Sequence, residues 1–297
     1  MTPTSQPFFV ICTQRSGSTL LRLMLNCHSR LCVPFESAFI TKIYYRLHEF
    51  GDLSQRDNLE KLIYEIGSDR FVIKGNLLPD PQKILAKAPQ TYGQVIAAMF
   101  SHLAQRNGKV RWGDKTPAYV TEMDILWNLF PNAKFVHLVR DGRDVALSLR
   151  GISWGTGHLP RSAESWQRKT ELVHKMGAMI PGNFLEIRYE DLVLDAEKTL
   201  REICIFLGEA FEPQMLRYHE NAREQIPEQS LQWHHNSTAE LNPEKVFEWK
   251  RIMSKNDRII FESIAGDSLE LFGYDRENRA ATWLTRLKKL TYYLSPG

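Results

Sequence analysis

The chain has 297 residues, 43% of them hydrophobic, enough to bury one large core or one core with an appended element. Its 38 Lys and Arg against 35 Asp and Glu leave a net charge of +3, which excludes the strongly basic footprint of a nucleic-acid binder. Cys12, Cys27, Cys32 and Cys204 form no CxxC pair and no metal-ligand cluster stands out, so reduced, partly buried thiols and no metal are expected.

The first predicted element is a strand over residues 8–12, followed by a polar turn and a helical pattern over 18–28. A strand, a glycine turn and a helix start aim backbone N–H groups and the positive end of the helix dipole at an anion. Gly17 permits close backbone approach, Arg15 supplies fixed positive charge, and Ser16, Ser18 and Thr19 supply hydroxyls. Taken alone this segment also reads as an ordinary capped helix start. It lacks the GxxxxGK[ST] spacing of an ATP- or GTP-binding loop, which disfavours triphosphate hydrolysis.

Further along, strands are expected over 71–74, 135–139 and 184–187, and helices over 91–106, 120–129, 143–150, 162–179 and 196–207. This alternation, without internal repeats, predicts an α/β fold: a P-loop-like three-layer arrangement around a mostly parallel sheet. The strand over 135–139 ends at Arg140, with Ser148 two turns into the next helix. Ligands of open parallel sheets sit outside the carboxyl ends of the strands, so Arg15 and Arg140 are expected to converge on one anion. Asp141, Arg143 and Asp144, taken alone, read as a local charge network at a helix start. Two segments are expected to shape an acceptor pocket: 44–69, with Tyr44, Tyr45, His48 and Phe50, and the loop 151–158, where Trp154 reads equally as a stacking surface or a core residue. Residues 211–245 read as a flap or connector, and His234-His235 as exposed loop histidines.

Together, Arg15-Ser16-Gly17-Ser18-Thr19-Leu20 and Arg140 with Ser148 eight residues on resemble the sulfotransferases that use 3′-phosphoadenosine 5′-phosphosulfate (PAPS), and within them the tyrosylprotein and related bacterial branch. The resemblance implies that Arg15, Ser16, Gly17, Ser18, Thr19 and Leu20 grip the 5′-phosphosulfate, and that Arg140 and Ser148 bind the 3′-phosphate. It makes Glu36, eight residues after His28, the candidate general base, and Lys115, two residues before Pro117, the cation at the transferring group beside Arg15. Without that pattern Lys115 reads as a solvated partner of Asp114, and Glu36 as the cap of a helix beginning near Ser37. By the same resemblance Tyr189 packs near the nucleotide, and Ser237, Thr238 and Lys250 are candidates to close over it, although Lys250 stands at a different offset from Trp249 than the family lysine. Where the tyrosylprotein enzymes carry Glu-Glu-Thr-Arg, this chain has Phe35-Glu36-Ser37-Ala38, which weakens any expectation of acidic peptide acceptors.

The expected activity is in-line, metal-independent sulfuryl transfer from PAPS to a hydroxyl on a small molecule, lipid, glycan or peptide. A nucleotide or small-molecule kinase, or a silent nucleotide-binding module, are the alternatives. A sulfotransferase domain over 1–277 is expected, followed by a basic amphipathic helix over 278–297, whose Trp283, Leu284, Leu287 and Leu290 stripe suits a membrane surface, another subunit or the chain's own core. With no leader peptide and no apolar span of about 18 residues, a bacterial-type cytoplasmic protein is expected, the tail offering peripheral contact with the inner membrane face.

Overall fold

A computed structural model describes residues 6–278 apart from 153, 154 and 156; the tail and Trp154 lie outside the described residues. A five-stranded, wholly parallel sheet runs through the molecule in the order β2-β3-β1-β4-β5, with β1 Phe8–Cys12, β2 Leu31–Cys32, β3 Arg111–Lys115, β4 Lys134–Val139 and β5 Phe184–Arg188. Helices cover both faces, as the alternating pattern predicted.

β1 is central because it is apolar on both faces. Phe9 and Ile11 join a core with Trp112, Phe130 and Phe135, whereas Phe8, Val10 and Cys12 join another with Leu21, Val136, Leu138 and helix Ala196–Leu207. A third cluster gathers Trp166, Trp249 and Phe261 beyond the end of β4. From β1 the chain builds β2 and β3 on one side, then crosses to add β4 and β5 on the other. The reversal between β1 and β4 creates a crevice at their carboxyl ends, where loops diverge.

One expected element needs correction and one element was missed. Residues 71–74 are not a strand: Arg70–Lys74 is a helix, started by Asp69, whose side chain accepts from the Phe71 N–H at 2.8 Å. A four-residue apolar run is ambiguous between helix and strand, and this cap decides it. Strand β3 was not foreseen, because Arg111-Trp112-Gly113-Asp114-Lys115 carries three charges, yet every residue of it is buried. Gly113 pairs with Phe8, and a Cβ there would stand 2.4 Å from the Phe8 ring. Gly113→Ala is therefore expected to destabilise the protein by about 1–3 kcal/mol through overpacking, read as a lower urea midpoint at unchanged slope.

No helix among the described residues is long and apolar enough to cross a membrane.

Candidate active site

The turn after β1 is held by a hydrogen bond between Thr13 Oγ1 and Ser16 Oγ at 2.7 Å. Arg15 and Gly17 adopt positive φ, 67° and 85°, and helix Ser18–Asn26 starts directly behind them. No side chain caps that helix and no acidic residue lies in its first turn, so its N-terminal N–H groups and dipole remain available to an anion. Gly17 is packed under Tyr189: a Cβ at 17 would come within 2.2 Å of that ring. Gly17→Ala would combine this clash with a left-handed backbone costing roughly 1–2 kcal/mol. The variant is therefore expected to be less stable than the parent, read as a lower urea midpoint.

A cavity of about 1100 Å³ opens at this turn, walled by Arg15, Gly17, Ser18, Thr19 and Leu20 from the loop and helix. Ser16 is fully buried and supports the turn from beneath. Arg15 donates from Nε to Ser148 Oγ at 2.8 Å and from Nη1 to the Trp233 carbonyl at 2.9 Å. Arg140 donates from Nη1 to the Arg15 carbonyl at 3.2 Å and from Nη2 to the Lys245 carbonyl at 3.1 Å, with its guanidinium 4.5 Å above the Tyr189 ring. The convergence of Arg15, Arg140 and Ser148 that the sequence suggested is thus present. Burial, then the neighbouring Arg140, pushes the Arg15 pKa down, the mark of two cations facing one space. Arg140 Nε is buried without a hydrogen-bond partner. A donor left unpaired beside an uncapped helix start fits an oxyanion.

The rest of the Arg-Asp-Gly-Arg-Asp run is structural. Asp141 caps helix Gly142–Arg150 and, with Glu262, holds the buried Arg143 in a bidentate network, while Trp249 Nε1 donates to Asp141 at 2.9 Å. Asp144 lies 3.8 Å from Arg140 and accepts from the Trp249 N–H at 2.8 Å. Burial pushes Asp144 up to about 6, outweighing the opposing pull of Arg140.

On the other side of the cavity Glu36 and Lys115 form an ion pair at 2.7 Å. Lys115 ends β3, is fully buried, and reaches Thr19 Oγ1 at 3.4 Å. Its partner is Glu36, not Asp114. Asp114 instead accepts hydrogen bonds from Ser37 and Thr116, and Tyr119 closes on Ser37, so the segment holding Glu36 is clamped to the end of β3. Burial pushes the Asp114 carboxyl up to about 6 despite those bonds. Asp114 and Tyr119 are positioning residues that the sequence reading passed over; the adjacency of Asp114 to Lys115 was the available signal. Burial also works against ionised Glu36, but the Lys115 charge and hydrogen bond outweigh it and hold its pKa below the ordinary carboxylate value. The buried lysine therefore keeps the candidate base ionised at neutral pH.

His234 is not an exposed loop histidine. It is half-buried, lines the cavity and stands edge-on to Phe35 at 6.3 Å. Burial, reinforced by Lys115, pushes its pKa down to about 4, so it is neutral at pH 7. Tyr189 and Ser237 line the cavity; Lys250 does not. Trp249 is anchored inward by both of its N–H groups, which turns Lys250 out to solvent over the Phe247 ring at 5.0 Å, and Lys245 takes the place on the wall. His28 is a buried support whose Nε2 donates to the Ala210 carbonyl at 2.8 Å and whose Nδ1 accepts from the Arg30 N–H at 3.0 Å, and it lies off the cavity. Tyr44, Tyr45, His48 and Phe50 are likewise absent from its wall; Arg70, Phe71 and Lys74 form that side.

The sulfotransferase family profile matches residues 7–213, and the chain belongs to the sulfotransferase family. A protein-tyrosine sulfotransferase of Drosophila melanogaster is 26% identical over 212 residues, 69% of this chain and 38% of its own length. An omega-hydroxy-beta-dihydromenaquinone-9 sulfotransferase of Mycobacterium tuberculosis is 24% identical over 258 residues, 71% of this chain and 66% of its own length. The chain thus spans less than two thirds of either relative. Among solved structures, the sulfotransferase domain of the Synechococcus PCC 7002 olefin synthase superimposes with a TM-score of 0.60 at 25% identity, covering 91% of this chain and 96% of that domain.

Proposed function

We propose that the chain transfers a sulfuryl group from PAPS to a hydroxyl acceptor. The observation that carries this reading is the meeting, in one cavity, of an anion cradle with an ionised carboxylate bound to a buried lysine. Gly17, Ser18, Thr19 and Leu20 at the helix start, with Arg15, would hold the 5′-phosphosulfate. Arg140 and Ser148 would hold the 3′-phosphate, and Tyr189 would pack beside the nucleotide. When bound, PAPS supplies a sulfuryl group whose bond to the phosphate oxygen breaks as the acceptor oxygen bonds to sulfur, with adenosine 3′,5′-bisphosphate leaving.

The chain's own part is charge and proton handling. Glu36, ionised at neutral pH, accepts the acceptor hydroxyl's proton on a carboxylate oxygen, which requires approach to within about 3 Å. Lys115 and Arg15 are fixed cations beside the transferring group, and sulfuryl transfer, like phosphoryl transfer, is accelerated by such charge rather than by covalent chemistry. This reading assigns charge stabilisation to these two side chains instead of a metal ion. A kinase of the usual P-loop type would carry its lysine inside the loop. Here the lysine at the corresponding place comes from β3.

Adenosine 3′,5′-bisphosphate is expected to bind far more tightly than adenosine 5′-phosphate. Each charge-assisted hydrogen bond from Arg140 to the 3′-phosphate is worth roughly 1.5–3 kcal/mol, so one such bond gives at least about tenfold. Equal affinities by calorimetry would refute the assignment of Arg140 and Ser148. The acceptor itself is best found by incubating the protein with labelled PAPS and an extract of its own cells, then identifying the labelled product.

A further inference from the structure

Behind Phe35 lies a second cavity of about 460 Å³ that shares Phe35 and Lys74 with the first. Its walls carry four cationic side chains, Arg22, Lys74, Arg106 and Lys109, against one carboxylate, Glu224. Arg22 is 1% exposed; its Nη1 and Nη2 donate to the carbonyls of Val33 and Gln225, and its Nε is buried with no partner. Among the described residues neither Lys74 nor Arg106 has a carboxylate partner. Lys109 is held by the Asn26 backbone and side-chain oxygens.

The Phe35 ring itself is ringed by charge. Arg22, Lys74 and Lys115 each stand 5.8–5.9 Å from its centroid, and only Lys115 is neutralised, by Glu36. Arg22 and Lys109 also tie backbone segments together, but Lys74 and Arg106 add positive charge to the same partly desolvated space without such a bond. Burial pushes Arg22 down to about 10 despite the pull of Glu36, and burial also lowers Lys109. An oxyanion entering this space would meet Lys74 and Arg106 on the wall and supply counter-charge beside the buried Arg22 guanidinium. Phe35 lines both cavities and Glu36, the next residue, lines the first, so the Phe35 side chain stands where the two spaces meet.

We propose that the second cavity is a subsite for an oxyanion, carboxylate or phosphate, carried by the acceptor, whose hydroxyl reaches Glu36 past Phe35; this rests on the sulfuryl-transfer reading of the first cavity. The acceptor is then an anionic hydroxy compound, already charged before sulfation. Phe35 supplies an apolar wall between the two groups, and Lys74, lining both spaces, bridges them.

The test titrates the protein, first saturated with adenosine 3′,5′-bisphosphate, with malonate, pyrophosphate and neutral malonamide in a calorimeter. One equivalent of malonate or pyrophosphate is expected to bind and malonamide not; the better of the two anions separates a carboxylate-bearing from a phosphate-bearing acceptor. The double variant Lys74→Gln/Arg106→Gln, checked for native thermal stability, should bind that anion at least tenfold more weakly. Undiminished binding in the double variant, or no binding of either anion to the wild-type protein, overturns the subsite. Failure of the bisphosphate to bind would instead refute the reading of the first cavity, and the anions titrated on the free protein and the double variant would still report on the second. A labelled product from the extract with no charge beyond its new sulfate also overturns the proposal.

Discussion

Glu36→Gln is expected to bind adenosine 3′,5′-bisphosphate like the parent protein and to turn over about two to four orders of magnitude more slowly, the scale of a lost general base. The amide keeps the shape of the side chain and its place against Lys115, so the cradle of Gly17, Ser18 and Arg15 is left as it was. What disappears is the proton acceptor proposed above. The same change removes the counter-charge of a fully buried lysine, and breaking such a pair costs up to about 3–5 kcal/mol. Thermal unfolding must therefore be measured alongside turnover, with rates compared well below the variant's midpoint. Full activity in a folded Glu36→Gln protein would move the base elsewhere. His234 would then be next, because it lines the cavity and is neutral at pH 7, whereas exposed His48 stands off the wall and His158 serves as the N-cap of helix Leu159–Ala178.

Much of this site was legible because it rests on local patterns. The apolar run of β1, its glycine turn and helix, and the β4 run ending in Arg140 each declare themselves within about fifteen residues, and parallel-sheet geometry brings them together. Helices at 92–106, 142–150 and 196–207 follow their periodicity to within a residue or so. Strand β3 hid because its charges are answered far away in sequence: Arg111 by the Leu207 carbonyl and Glu209, Asp114 by Ser37, Lys115 by Glu36. A sequence shows three charges in five residues and no sign that each has a buried partner. For the same reason Glu36 and Lys115 could be picked out singly, through a family resemblance, but not as an ion pair. His234 was read as exposed because the segment around it is polar, and only the packing of that segment over the cavity, with Arg15 bound to the Trp233 carbonyl, makes it part of the wall. Lys250 failed in the opposite way: its residue type suited the role, but the inward anchoring of Trp249 points it to solvent.

Lys115→Ala separates catalysis from binding and also reads the state of Glu36. Removing a fixed cation that faces developing charge typically costs about 10²–10³ in turnover. Affinity for adenosine 3′,5′-bisphosphate, which lacks the transferred group, should fall much less. That split marks an interaction made chiefly in the transition state. The pH dependence supplies an independent check. In the parent protein Glu36 is held below the ordinary carboxylate value of about 4.3, so as pH falls it stays ionised, and the base remains competent until the medium is more acidic than that value. In Lys115→Ala the two largest influences that lower its pKa, the lysine charge and hydrogen bond, are gone; the weaker pull of His234 and Arg22 remains, and so does the burial that raises it. The acid limb of the turnover profile should therefore move to higher pH than in the parent protein. Lys115→Arg, which keeps the charge, should keep the limb where the parent has it. An acid limb unchanged in Lys115→Ala would show that Glu36 is not the titrating base, and equal losses in bisphosphate affinity and turnover would make Lys115 a binding residue alone.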